Sequence, residues 1–328
     1  MKIYLNKINE NWIVDRFRKE WFKNNKNVST KFISNASIVW IISPWTWKEV
    51  NRNKLKDKKI VCSVHHLDFN NFDHDEFYKL DKIVTYYHVI SSRTYKELSN
   101  LTEKKIFLIP WWVNEKTWFE INDKAQLRKT KGFKESDFLV GSFQRDTEGK
   151  DLISPKLIKG PDIFLRIVKE KYKNNPNLIV VLSGKRRQYL IKELKKASIP
   201  YRYFEMVDEK ELNELYNLLD LYIVASRIEG GPQSIVECAI SKTPIISSDV
   251  GIARDFLHHS SIRSSAELLL VAITTSSIFF ECFTLVIICS NIDIPHASKK
   301  IFPGNLDDDN RAWIIAAFII ILIFSTCY

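Results

Sequence analysis

The chain has 328 residues, enough for one large core or two of ordinary domain size. Its 45% hydrophobic and 27% charged residues exclude a disordered or fibrous chain. A net charge of +10 suits anionic partners such as nucleoside diphosphates or acidic membrane surfaces, and with no RNA- or DNA-binding motif present, nucleic acid is not the expected partner.

Charge is unevenly spread along the chain. After Ile262 there are four basic residues against six acidic ones, so the first 262 residues hold 45 of the 49 Lys and Arg. The five cysteines form no metal-type CxxC pair and no disulfide framework, so reduced, buried thiols and a reducing cytoplasm are expected. The opening MKIYLNKINENW has no signal-peptide core and reads as a first strand.

Short apolar runs then alternate with amphipathic stretches, the pattern of βαβ units. In the first half the spacing predicts strands at Lys2–Leu5, Ser37–Ile42, Ile60–Val64, Lys82–Thr85 and Ile106–Ile109, with a helix from about Trp12 to Lys23. Trp118 to Asp137 reads as a charged connector between domains. The second half repeats the plan, with strands at Phe138–Phe143, Leu178–Leu182, Leu221–Ala225 and Pro244–Ser247. Between them run three helical stripes: Ile163, Phe164, Ile167, Val168 and Tyr172; Leu190, Ile191, Leu194 and Ala197; Leu212, Leu215, Tyr216 and Leu219. The expected fold is α/β, two doubly wound Rossmann-like domains facing a cleft, with ligands at the carboxyl ends of the strands. The expected boundaries are 1–130, 131–262 and an atypical apolar tail, 263–328.

Leu221 to Asp255 is the most informative stretch. A buried strand ends at Ser226, a turn with Gly230 and Gly231 follows, and Pro232 stands where a first helical residue prefers proline. The helix predicted over Gln233–Ser241 then opens beneath a Gly-Gly turn, aiming backbone N–H groups at an anion such as a diphosphate. Glu229 and Glu237 frame the turn with seven residues between them. Glu237 is flanked by Ile235, Val236, Cys238, Ala239 and Ile240, so its carboxylate needs a hydrogen-bonding partner. Ribose hydroxyls would serve, and so would a Lys or Arg within the protein. Glu229 alone reads equally as a surface loop acid.

This stretch resembles the donor-site signature of the retaining GT-B glycosyltransferases of group 1, an E-x7-E pair with a glycine-rich turn after the first Glu. The resemblance implies that Glu229 meets the hydroxyls of the donor sugar and Glu237 the nucleotide ribose, while Gly230, Gly231, Pro232 and Ser234 line the donor. Val140–Arg145 followed by Lys159-Gly160 resembles the opening of the family's donor domain. Arg145 and Lys159 thereby inherit the neutralisation of the pyrophosphate. The loop Asp146–Ile158 is longer than most members carry and leaves Lys150 and Lys156 as rivals to Lys159. Ser183-Gly184-Lys185 resembles the next glycine turn, with Gly184 near the nucleotide. In the first half, Ile60–His66 resembles a strand ending in a histidine beside the acceptor, which puts His65 near the reacting sugar. Lys105–Phe119 resembles the family's strand–Pro-Asn-Gly-Val-Asp element, with Trp112 where glycine is usual.

The resemblance runs over roughly residues 1–257. Beyond it come apolar runs at Leu268–Ile288, interrupted by Glu281, and Trp313–Tyr328; a bilayer span needs about 20 apolar residues. A membrane anchor, a divergent domain end and a frameshifted end all fit. The expected function is transfer of a hexose from a nucleoside diphosphate sugar to a carbohydrate or lipid-linked acceptor, with retention. No metal and no cofactor beyond the nucleotide sugar are expected, since no DxD pair lies near a predicted strand end and His65-His66 lacks ligand-type neighbours. The alternatives are an epimerase or phosphorylase on the same fold, or a catalytically impaired nucleotide-sugar-binding remnant.

Overall fold

The computed structural model describes residues 1–7 and 13–257, together with a two-residue strand at 286–287. Apart from that strand, the tail expected from residue 263 lies outside the described residues. Among these residues, no helix is long and apolar enough to cross a membrane. The chain divides into two compact units, with the break between Trp112 and Val113.

The first unit carries a five-stranded parallel sheet in the sequential order β1 (Ile3–Leu5), β2 (Ile38–Ile41), β3 (Lys59–Val64), β4 (Tyr86–Val89) and β5 (Ile106–Leu108). Its strands are apolar on both faces, as a parallel sheet covered on two sides requires. Ile38, Trp40 and Val61 pack with Val14, Phe17 and Trp21 of helix α1 (Ile13–Asn24). The alternate residues Val39, Ile41 and Cys62 pack with Phe77 and Leu80 of α2 (His74–Asp81) and Leu98 of α3 (Ser92–Ser99). The strand expected at Lys82–Thr85 forms at Tyr86–Val89 instead. The backbone N–H groups of Lys82, Ile83 and Val84 donate to the carbonyls of Tyr78 and Leu80, so they extend the end of α2 rather than opening a strand.

The second unit opens inside the stretch read as a connector. Trp118 is fully buried, edge-on to Tyr216. Residues Lys124–Thr130 form helix α4, capped by the Asp123 carboxylate. The charges that suggest a linker are in fact bonded to the end of another helix, α7 (Glu209–Leu218). Lys124 donates to the Leu219 carbonyl at 2.5 Å, and Arg128 donates twice to that of Leu218 and to Asp220. Cations at a helix C-terminus meet unsatisfied carbonyls and the negative end of the dipole, which is why the segment folds onto this unit.

The sheet of the second unit runs in the order β10 (Tyr201–Phe204), β9 (Leu178–Ser183), β6 (Phe138–Ser142), β11 (Leu221–Val224) and β12 (Ile245–Ser247), parallel throughout. Helices α5 (Pro161–Asn174) and α6 (Gln188–Lys196) cover the face bearing Val140, Val180 and Ile223. Helices α7 and α8 (Gln233–Ile240) cover the face bearing Leu139, Val181 and Tyr222. Ala253–Leu257 forms α9, and strand β13 (Val286–Ile287) pairs antiparallel with β12. The chain starts at β6, winds outward through β9 and β10, then returns to β11 on the other side. The strand order therefore reverses between β6 and β11, and ligands of open α/β sheets bind at the carboxyl ends of the strands flanking such a reversal. The long loop after β6 contains a hairpin, β7 (Thr147–Glu148) against β8 (Ser154–Pro155).

Candidate functional site

The residues that leave β6 and β11 at the reversal are Phe143–Arg145 and Ala225–Glu229. Lys159 and Glu229, seventy positions apart, meet here, with Nζ to Oε1 at 2.5 Å. The Ser226 hydroxyl lies 3.3 Å from the same Glu229 oxygen and 3.1 Å from Gln144 Oε1. Gln144 Nε2 in turn donates to the Lys159 carbonyl at 2.8 Å. Gln144 and Ser226 were not among the residues singled out from the sequence. Their signal was only position, each being the first polar residue past a strand end.

Two glycines fix this arrangement. Gly160 has φ +61°, and a Cβ there would stand 1.8 Å from the Ala225 carbonyl oxygen, so only glycine lets the Lys159 turn lie against the end of β11. Gly251, with φ +50°, approaches the Glu229–Gly230 turn itself: a Cβ would stand 1.9 Å from the Gly230 oxygen and 2.8 Å from that of Glu229. The loop is also tied from the side. Arg227 forms a bidentate pair with Asp162 at 2.8 and 2.7 Å, and the Arg227 and Ile228 N–H groups donate to the Ile158 carbonyl. Arg227 holds the Asp162 carboxyl below its ordinary range.

Pro232 is the residue preceding helix α8 rather than its first residue, as the sequence had suggested, and its carbonyl accepts the Ile235 N–H. The helix ends at Ile240 and has no side-chain cap at its N-terminus, so its first turn opens with main-chain N–H groups beneath Gly230 and Gly231. Ser234, in that turn, hydrogen-bonds the hydroxyl of Tyr222, which also accepts the Phe143 N–H at 3.0 Å.

Glu237 is 4% exposed and accepts from the Tyr216 hydroxyl at 2.9 Å. Burial first, and then the neighbouring carboxylate, hold the Tyr216 phenol well above its ordinary pKa, which keeps it a donor. Sequence reading placed Tyr216 in an apolar stripe and missed this bond, because the meeting of α7 with α8 is tertiary.

The cations are gathered on the β6 side. Arg145 is exposed at the end of β6, and Lys156 is partly buried at the base of the hairpin. Burial lowers the Lys156 pKa, Arg145 and then Lys159 lower it further, and Glu148 and Glu229 oppose them. Lys150 is exposed in the hairpin loop. Gly184 forms a tight turn at φ +87°, its N–H donating to the Glu205 carbonyl and its own carbonyl accepting from Tyr203.

His65 belongs to the first unit, at the end of β3. Its Nε2–H donates to the Ile42 carbonyl at 2.8 Å with the Ser43 hydroxyl at 3.2 Å, and Nδ1 accepts from the Trp111 indole at 3.4 Å. Burial pushes its pKa down to about 4, so the ring is neutral at pH 7. Among the described residues, no three His, Cys, Asp or Glu gather into a metal-holding group.

Comparison with known proteins bears on the same segment. Residues 153–266 match the profile described as glycosyl transferases group 1. This stretch is a group 1 glycosyl transferase domain. It contains Lys159, Gly160, Arg227, the Glu229–Pro232 turn, Glu237 and Gly251, while Gln144 and Arg145 precede it. No curated protein matches the chain in sequence. Among solved structures, HepE of Anabaena in complex with UDP and glucose superposes with a TM-score of 0.61 at 12% identity, covering 79% of this chain and 84% of that one. Sucrose-phosphate synthase of Thermosynechococcus elongatus gives 0.56 at 15% identity, over 77% and 65% of the two chains. The pneumococcal O-GlcNAc transferase GtfA, in complex with UDP and GlcNAc, gives 0.51 at 17% identity, over 77% and 49%. These likenesses extend the GT-B fold of the transferase domain to the first unit as well.

Proposed function

We propose that this glycosyltransferase moves a hexose from a nucleoside diphosphate sugar to a carbohydrate or lipid-linked acceptor, with retention at the anomeric carbon and without metal or further cofactor. The observation that carries the reading is the meeting of Lys159 and Glu229 at the sheet's reversal, ahead of the uncapped start of α8 and with Arg145 and Lys159 both acting on the charge of Lys156. A departing diphosphate gathers negative charge, and fixed cations and aligned N–H groups stabilise it without reorganising. Arg145 and Lys159 take that part. Glu229, held by Lys159 and Ser226, presents carboxylate oxygen to sugar hydroxyls. Glu237 receives the ribose, with Gly230, Gly231, Pro232 and Ser234 lining the donor and Gly184 shaping the turn near the nucleotide. His65, being neutral, has a steric and polar part near the reacting sugar rather than an acid–base one. That HepE and GtfA were solved with UDP supports UDP as the first nucleotide to try.

The test is release of UDP from UDP-hexoses, followed with and without EDTA. Turnover is expected to survive EDTA and to fall about tenfold to a hundredfold in Arg145→Ala, the loss of one charge-assisted hydrogen bond of ~1.5–3 kcal/mol. An absolute requirement for Mn²⁺ or Mg²⁺ sinks the metal-free reading. Inverted anomeric configuration in the product sinks retention.

A further inference from the structure

The hairpin β7–β8 lies between Arg145 and Lys159, and its root is tied at several points. Asp146 lies buried beside the fully buried Arg187, with 2.8 Å between carboxylate and guanidinium. The other Asp146 oxygen accepts the Thr147 hydroxyl at 2.6 Å. The Asp146 carbonyl accepts the Lys156 N–H at 2.8 Å, so the chain leaves and re-enters the hairpin at one point. The Lys156 carbonyl then accepts the Lys159 N–H at 2.8 Å, closing the turn that leads into Gly160. The inserted loop therefore returns Lys156 to the place where Arg145 departs and Lys159 begins.

We propose that Lys156 is a third cation on the diphosphate of the donor. The inference rests on the nucleoside diphosphate sugar reading above. Within the gathered set, Lys159 is paired with Glu229, while Lys156 feels Arg145 and Lys159 as like charges and Glu148 and Glu229 as opposing ones. An anion placed among like charges at a partly buried position stabilises them. A sugar-linked diphosphate carries about one negative charge on each phosphate, and a free diphosphate ionises once more near pH 6. Lys156 therefore contributes to holding both the intact donor and the released nucleoside diphosphate.

The experiment is calorimetric titration of the full-length chain at pH 7 with UDP, UMP and uridine. In Lys156→Gln the dissociation constant for UDP is expected to rise about tenfold, as for loss of one charged hydrogen bond, while that for uridine stays within twofold. Lys156→Arg is expected to restore most of the UDP affinity. Lys150→Gln, in the same hairpin, is expected to bind UDP like the parent. A lesion that merely loosened the hairpin would weaken UDP and uridine alike and would not be rescued by Arg. Equal loss for all three ligands, or UDP affinity unchanged in Lys156→Gln, overturns the assignment. If the parent chain itself binds no UDP, the donor reading is what fails, and this assignment fails with it.

Discussion

Glu237 shows how a single buried carboxylate ties two helices together. Its neighbours on α8 are apolar, and from sequence alone the carboxylate demanded a partner that was not identifiable. The structure supplies the Tyr216 hydroxyl on one oxygen. Removing that hydroxyl leaves a buried acceptor short of a donor, which costs about 1–3 kcal/mol. Tyr216→Phe is therefore expected to lower the unfolding free energy by that amount in urea titrations, with Glu237→Gln milder because the amide keeps the shape. If Glu237 also receives ribose, Glu237→Gln weakens UDP binding by more than it weakens folding. A folded Glu237→Ala protein with parental UDP affinity would return the residue to a structural role. Lys159, Glu229 and Glu237 were named beforehand from local motifs, though the pairing of Lys159 with Glu229 across seventy positions comes from the fold. Tyr216, Gln144 and Ser226 were not, since each acquires its meaning from a contact between elements far apart in sequence.

At the scale of elements, the same division holds. Long apolar strands announced themselves, whereas β7 and β8 are two residues each and show no alternation to read. Helix α4 was hidden because its Lys and Arg, which suggest solvent, are bonded to carbonyls at the end of α7. Gly160 and Gly251 are required where they lie against other backbone, a contact made only in the fold. This makes a sharp prediction for the turn that bears Glu229. Gly251→Ala combines a left-handed φ, worth about 1–2 kcal/mol against alanine, with a collision that must displace Glu229 and Gly230. Gly132 supplies the control, since its φ is +73° but the nearest atom to a Cβ is 4.0 Å away. Gly132→Ala is expected to lose stability only, and Gly251→Ala to lose more stability and also UDP affinity. Equal effects of the two substitutions on UDP binding would mean that the turn does not depend on this approach.

Across the whole molecule the two units differ in what acid does to them. Residues 113–257 contain no histidine, whereas the first unit buries His88 and holds His65 partly buried. His88 sits in a directed chain: the Trp40 indole donates to Ser63 Oγ at 2.8 Å, Ser63 bonds His88 Nδ1 at 2.8 Å, and His88 Nε2–H donates to the Ile109 carbonyl at 2.7 Å. An indole can only donate and a carbonyl can only accept, so the ring is neutral with its proton on Nε2. His65 is held in the same tautomer by Ile42 and Trp111. Burial sets both pKa values at about 4, against an ordinary value of 6.5. The sign follows from proton counts. Between pH 6.5 and 4 the unfolded chain binds protons that the folded rings refuse, so stability present above 6.5 is lost as pH falls toward 4. Each histidine contributes at most roughly 1.4 kcal/mol per pH unit across that window. The readout is favourable, because Trp21, Trp40, Trp45, Trp47, Trp111 and Trp112 all lie in the first unit and Trp118 in the second. Tryptophan emission is therefore expected to report a urea midpoint that falls steeply from pH 6.5 to pH 4.5. A probe confined to the transferase domain, such as the protection that UDP confers on it against proteolysis, should fall less over the same range. His88→Asn is expected to flatten the fluorescence-detected slope by about half at the cost of a lower midpoint at pH 7.5. A midpoint independent of pH in the parent, or an unchanged slope in His88→Asn, would show that these rings are not held neutral by the fold.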